Sequence, residues 1–425
     1  MSVKHEFEQI FSLLRGNFLV ITIGLAWYRL WGGFFDPYVA ASVRILGGSS
    51  FVVGALTGVV SLSGALARIP GGYICDYVGR RRIAMIGVFI SWSAMLLRAL
   101  TATDWRILFI TQSLWSISNF WTIAEQVILM DSLPNEKRAL GFAINSAILG
   151  LANLASPYFG GVILERYEAQ GVRVVLLLIP IMYTVKCILY WKFLKESFVT
   201  TQQQITHFSF SNVRHWTTTA FVETFRTFKL MSKSLRGFCI VNIIFIFALS
   251  LVGYTETLLF LPWSGTFFLL YAQDAIRLTL SEWGLIIVLT SGTQTVLYIF
   301  GGRIIDLYGK RWAVLAFFSS VILTALGFIN SQNYSQTFIV LILGSIASSI
   351  TIPAWRALEA DLTPIEIRGR VSALYGLLGC MFALIGSLFG GYSYGINPKF
   401  PFLLFIMFGT TTTAIVYLTV LRRVK

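Results

Sequence analysis

Gly71-Gly72-Tyr73-Ile74-Cys75-Asp76-Tyr77-Val78-Gly79-Arg80-Arg81-Arg82 joins two long apolar runs through a short basic loop with one carboxylate in its middle. The chain contains this pattern twice. Starting 230 positions later, Gly301, Gly302, Ile304, Asp306, Gly309 and Arg311 repeat Gly71, Gly72, Ile74, Asp76, Gly79 and Arg81. The same offset sets Asp131, Pro134, Glu136 and Arg138 onto Asp361, Pro364, Glu366 and Arg368, and Gly160-Gly161 onto Gly390-Gly391. A period of about half the chain is too long for a solenoid. The repeated unit is therefore a whole helical bundle, and the chain has two of them.

Of the 425 residues, 56% are hydrophobic and 12% are charged, about half the charged share of an ordinary soluble domain. Such a chain belongs in a membrane. A crossing helix takes about 20 mostly apolar residues. Twelve such runs are counted, near 17–43, 50–74, 83–102, 106–130, 139–164, 172–194, 238–270, 281–305, 312–331, 336–360, 369–394 and 400–421. The predicted fold is thus all-α and integral to the membrane. Residues 1–195 form one six-helix bundle, 196–236 a cytoplasmic linker with an amphipathic helix, and 237–425 a second six-helix bundle.

The net charge of +14 concentrates in the N-terminus, the C-terminus and the even-numbered connections. That asymmetry puts both termini in the cytoplasm and explains the excess charge through anionic headgroups rather than nucleic acid. The first run lacks a small-residue cleavage site after it, so it is expected to be retained. Cys75, Cys187, Cys239 and Cys380 stand singly, without metal-ligand spacing. No metal, cofactor or enzymatic motif is expected.

Ionisable side chains inside a bilayer cost a few kcal/mol or more and face a bundle interior or a water-filled cavity. In the first run Thr22, Arg29, Gly33 and Asp36 share one helical face. In the fourth, Gln112, Trp115, Asn119, Thr122 and Gln126 recur at helical spacing with Glu125 beside them. Thinner stripes carry Asn242 and Glu256 in the seventh run, and Ser345, Ser348, Ser349 and Arg356 in the tenth. Arg29, Trp31, Trp115, Asn119, Thr122, Gln126, Asn242 and Arg356 are the predicted cavity residues. All three histidines lie outside the runs, so an intramembrane proton carrier would be a carboxylate: Asp36, Glu125 or Glu256.

The G-x-x-x-D-x-x-G-R-R loop between the second and third runs, with its weaker copy after the eighth, resembles the signature loop of the major facilitator superfamily, and the resemblance extends along the full length. It implies a secondary transporter with helices one, four, seven and ten around a central cavity. It also implies a conformational latch from Gly72, Asp76, Gly79, Arg80, Asp131, Asp306, Gly309 and Arg311, in which Arg80 pairs with Asp131. Tyr77 and Leu307 stand where the family has a basic residue, so part of the usual charge network is missing.

Ser156-Pro157-Tyr158-Phe159-Gly160-Gly161 partly resembles the helix-five motif of proton-driven antiporters. The expectation is a monomeric, multi-pass plasma-membrane protein performing proton-coupled efflux of an amphipathic or cationic small molecule. Two alternatives stand beside it: a proton-coupled symporter of an anionic solute held by Arg29 or Arg356, and a non-transporting receptor or scaffold on the same fold.

Overall fold

Gly79 is where the repeated loop turns. Its φ of +102° favours glycine. It ends the helix Ser50–Val78 and lets Arg80–Thr101 begin at once. The computed structural model describes residues 13–134, 137–197, 231–254, 265–308, 310–363 and 368–418, with four isolated positions between 218 and 228. Among them there is no strand.

The described helices are α1 Gly16–Gly32, α2 Val39–Ile45, α3 Ser50–Val78, α4 Arg80–Thr101, α5 Trp105–Ser118, α6 Thr122–Asp131, α7 Arg138–Ala152 and α8 Ser156–Phe193. The second half contributes α9 Lys233–Leu251, α10 Thr266–Tyr271, α11 Leu280–Tyr308, α12 Lys310–Ile329, α13 Tyr334–Leu362, α14 Arg368–Ile396 and α15 Phe400–Val416. Among the described residues, seven stretches are long and apolar enough to cross a membrane. One of them, Leu140–Phe193, holds two of the expected crossings. At Glu168 φ is +44°, outside the helical path, and the chain doubles back so that Gly171 packs against Ile163 and Leu164.

Four expected runs are not continuous helices. The first breaks after Gly32, and Asp36-Pro37-Tyr38 forms a short 3₁₀ turn before α2. Pro37 lacks an N–H and restricts Asp36 before it, which takes Asp36 off the helical face shared by Thr22 and Arg29. The fourth run is interrupted by a 3₁₀ turn at Asn119–Trp121, between α5 and α6. The fifth, 139–164, is interrupted at 153–155 between α7 and α8. The seventh, 238–270, ends as α9 at Leu251, Gly253 turns at a φ of +77°, and the Thr266 N–H at the start of α10 bonds back to the Gly253 carbonyl. The predicted linker is outside the described residues except for a few positions.

The halves meet through α3 against α14 and α8 against α11. Small residues make this possible, as in many membrane helix pairs. A methyl at Gly58 would lie 2.8 Å from the Leu384 Cα, and one at Gly391 would lie 3.0 Å from the Phe51 Cα. The interiors differ in character. The second half buries interlocked rings, with Phe328 and Phe402 in contact with each other and each with both Phe268 and Tyr271. The first half buries charge.

Candidate functional site in the N-terminal bundle

Two charged groups lie side by side in the first bundle, with Tyr28 of α1 between them. In one, the Lys186 Nζ of α8 sits 3.0 Å from Glu125 Oε1 of α6, and both side chains are almost wholly buried, at 1% and 5% exposure. Tyr190 donates its hydroxyl to the same carboxylate oxygen. Four rings surround the ammonium: Trp121 at 4.6 Å, Tyr190 at 5.2 Å, and Tyr28 and Tyr183 at 5.5 Å. Ring faces attract a desolvated cation. Without them and the carboxylate, an ammonium at this depth would be prohibitively costly.

The second group gathers at the end of α1. The Asp36 carboxylate folds back over its own helix, since a methyl at Gly32 would stand 3.1 Å from Asp36 Oδ2 and 3.7 Å from the Tyr28 ring. The cationic charges that act on it are those of Arg98 and Arg29. Arg98, on α4, is 2% exposed. Its guanidinium lies 4.8 Å from the Phe35 ring and 5.9 Å from the Trp115 ring, and Nη1 donates to Gln112 of α5. Arg98 Nε and Trp115 Nε1 are buried and find no acceptor. Arg29 and Asp36 are exposed, in a region whose neighbours are buried.

The predicted cavity residues divide accordingly. Arg29, Asp36, Trp115 and Glu125 come together in this region. Trp31 lies elsewhere on α1, stacked on Phe34 and edge-on to Trp27, whose indole donates to the Met182 carbonyl. Asn119 and Thr122 bond locally around the 3₁₀ turn, Asn119 Nδ2 to the Trp115 carbonyl of α5 and the Thr122 hydroxyl to the Asn119 carbonyl. Gln126 is exposed and Asn242 half-buried. Ser345, Ser348 and Ser349 are fully buried and return their hydroxyls to their own helix. Ser348 also accepts from Gln294 of α11. Glu256, Arg356, Gly72, Asp76, Asp306, Gly309 and Arg311 lie outside what is described at the level of side chains.

Sequence reading missed Arg98 and Lys186. Arg98 is four residues from the end of its run, where a long basic side chain ordinarily reaches back to the interface. Lys186 had a clear signal. It is a lone ammonium deep in an apolar run, as anomalous as Arg29 and open to the same argument.

At the Gly79 turn Arg80 pairs with Asp131, and Ser197 donates to the same carboxylate at 2.9 Å. Glu196 accepts from the Arg81 backbone N–H at 3.1 Å, placing a carboxylate at the start of α4. Arg81 Nε donates to the Leu194 carbonyl at 2.6 Å. These contacts lie within the first half and the two linker residues that follow it, Glu196 and Ser197. On the opposite face the halves are bonded to each other. Arg44 pairs with Asp274, the Ser281 N–H donates to Glu165 at 3.0 Å, and Tyr38 reaches the Leu280 carbonyl at 3.3 Å. The bundle pair is therefore closed on the face away from the arginine loop.

A sequence model of the Major Facilitator Superfamily matches residues 18–267 and 255–425. Over 140 residues the chain is 29% identical to an uncharacterised MFS-type transporter, YhjO, of Bacillus subtilis (strain 168), covering 33% of this chain and 35% of the relative. Over 125 residues it is 27% identical to a Na(+), Li(+), K(+)/H(+) antiporter of Planococcus maritimus, covering 28% of this chain and 29% of that one. The matches thus span about a third of each curated relative. Among solved structures, the nucleoside transporter NupG superposes with a TM-score of 0.69 at 12% identity, over 97% of this chain and all of the other. A bacterial homologue of the human lysosomal transporter Spinster gives 0.68 at 14%, over 95% and 96%. At such identities the likeness concerns the fold.

Proposed function

The chain belongs to the Major Facilitator Superfamily and is a multi-pass membrane transporter, and from that premise we propose that it couples the movement of a small solute to protons by alternating access. The observation that carries this is Asp36. It is an exposed carboxylate with no hydrogen bond among the described residues, and it faces the charges of Arg98 and Arg29. A carboxyl so placed can gain and lose a proton without breaking the packing around it. The Glu125–Lys186 pair is already satisfied and serves as the fixed neighbour.

Under the positive-inside rule the arginine loop is cytoplasmic, so the closed face looks outward and the site communicates with the cytoplasm. Residues 1–195 then rock against 237–425 as the Arg44–Asp274 side opens. The plasma membrane is the setting we assign.

A second reading, proton antiport, is favoured by Ser156–Gly161 and by the antiporter among the relatives. Gly160 and Gly161 also have a packing role, against Phe34 and Leu280. The test is proton flux in liposomes holding a trapped pH dye, with Asp36→Asn and Glu125→Gln compared singly and together. Loss of proton-linked flux in Asp36→Asn is expected. Full proton-driven transport in the double variant would end the proposal.

A further inference from the structure

We propose, resting on the transport reading above, that the solute carries a negative charge of carboxylate type, and that Arg29 and Arg98 receive it when Asp36 is protonated. Around Asp36 and Glu125 the first bundle gathers Arg29, Arg98 and Lys186, while Arg68 of α3, its Nε also buried without an acceptor, lies beside Gly64. Lys186 and Glu125 neutralise each other at 3.0 Å. Two guanidinium groups then face a single carboxylate, and neither forms an ion pair with it within hydrogen-bonding distance. The site is cationic by one charge while Asp36 is ionised and by two when it is not.

The donors point the same way. Arg98 is 2% exposed, yet its Nε has no acceptor, and among the described residues its one hydrogen bond goes to the neutral Gln112. The Trp115 indole N–H beside it is also buried without an acceptor. A buried guanidinium lacking its counter-ion is strongly unfavourable. The deficit is one of acceptors, and a carboxylate supplies two oxygens in the planar arrangement that a guanidinium matches. An amphipathic cation would add charge of the wrong sign and leave both donors unpaired.

The sign of coupling follows. Asp36 is faced by Tyr28 and Arg29 on α1 and by Arg98 on α4; beyond Tyr28 stand Glu125 on α6 and Tyr183, Lys186 and Tyr190 on α8. On α2 and α10, Arg44 and Tyr271 are turned away, to Asp274 and the Ile329 carbonyl. Ionised Asp36 competes with an anion for the two arginines, and its protonation releases them. Proton and anion therefore bind together and travel together, as a neutral sum. A cationic substrate would instead compete with the proton.

The test uses the full-length protein in detergent, weakly buffered, mixed in turn with benzoate, lactate, glutarate and tetraphenylphosphonium, reading thermal stability and the pH change on binding. At least one carboxylate should stabilise the protein and draw protons from solution. Arg98→Gln and Arg29→Gln should each weaken that binding about tenfold or more. Asp36→Asn should bind the anion without proton uptake and without the wild-type loss of affinity at high pH. Arg29 is exposed, so its variant keeps the test decisive if Arg98→Gln does not fold. Stabilisation by tetraphenylphosphonium with proton release, no response to any carboxylate, or equal carboxylate binding in both arginine variants would overturn the proposal. Carboxylate binding without proton uptake in the wild type would uphold the anion site and remove the proton coupling beneath it.

Discussion

Arg44 and Asp274 join the two halves at 3.1 Å, and Tyr394 donates a 2.9 Å hydrogen bond to the same aspartate. The three come from α2, the turn after α10 and α14, so both bundles must rearrange together for the bond to break. Arg44 and Asp274 are about a third exposed, at 35% and 31%, which limits the ion pair to about 0.2–1 kcal/mol. The tyrosine bond adds about 1 kcal/mol. Asp274→Ala removes both and should shift the equilibrium toward the form open on this face by about 1–2 kcal/mol, roughly 5- to 30-fold. In a variant with the four native cysteines replaced and a cysteine at position 57, where Thr57 is 7% exposed and faces Thr266 of the other half, labelling by an impermeant maleimide applied to that face should rise by that factor. An unchanged rate would mean that the contact does not hold the face closed.

The same closed face depends on Gly58. Its α-carbon sits so near α14 that a Cβ would lie 2.8 Å from the Leu384 Cα and 3.1 Å from its carbonyl oxygen. Neither atom is the end of a flexible side chain, so one helix must shift. Gly58→Ala should therefore cost the closed state about 1–3 kcal/mol, as overpacking does elsewhere. Labelling of a cysteine at position 57 from that face should increase while the protein stays folded and the other face is unaffected. A labelling rate equal to that of the parent would show that α3 and α14 have slack there.

The repeat was legible because Gly79 and its neighbours must turn the chain in a fixed way, and that requirement leaves the same residues at both loops. Arg29 and Asp36 were legible because charge in an apolar run demands a reason. Their relation was not. A periodicity argument assumes an unbroken helix, whereas Pro37 ends α1 and swings Asp36 over Gly32 toward Arg98. The stripe through Asn119 misled for the same reason, since the 3₁₀ turn consumes Asn119 and Thr122 in local bonds. The partner of Glu125 lies 61 positions away, at Lys186. Spacing along one helix carries no information about which residue of another helix packs against it.

Lys186 and Glu125 form a pair whose worth depends on both members being present. Lys186→Met leaves Glu125 charged and buried, and such a loss typically costs about 3–5 kcal/mol. Glu125→Gln alone should be costly for the mirror reason, with Tyr190 retaining a weaker partner. The combined variant leaves no uncompensated charge and should recover most of the loss, so the double-mutant cycle should close with a large coupling. Thermal unfolding in detergent provides the measurement. Additive losses would show that the two side chains are stabilised separately by the surrounding rings.

Arg80 and Asp131 connect the start of α4 to the end of α6, with Ser197 bonded to the same carboxylate. The pair lies beside the Gly79 turn and is partly buried, at 13% and 28% exposure. Its removal should cost about 1 kcal/mol in stability. The larger effect is expected on cycling, because the contact fixes where α4 begins relative to the carboxylate end of α6. Asp131→Asn should slow transport several-fold with little change in thermal unfolding. Arg80→Asp should stop transport, and Arg80→Asp with Asp131→Arg should restore part of it by re-forming the pair in reverse. Arg81→Ala acts differently, since its guanidinium holds the Leu194 and Trp191 carbonyls, and it should lower stability first. If the swapped pair transports no better than Arg80→Asp alone, Arg80 works through its other neighbours and its bond to Asp131 is incidental to the cycle.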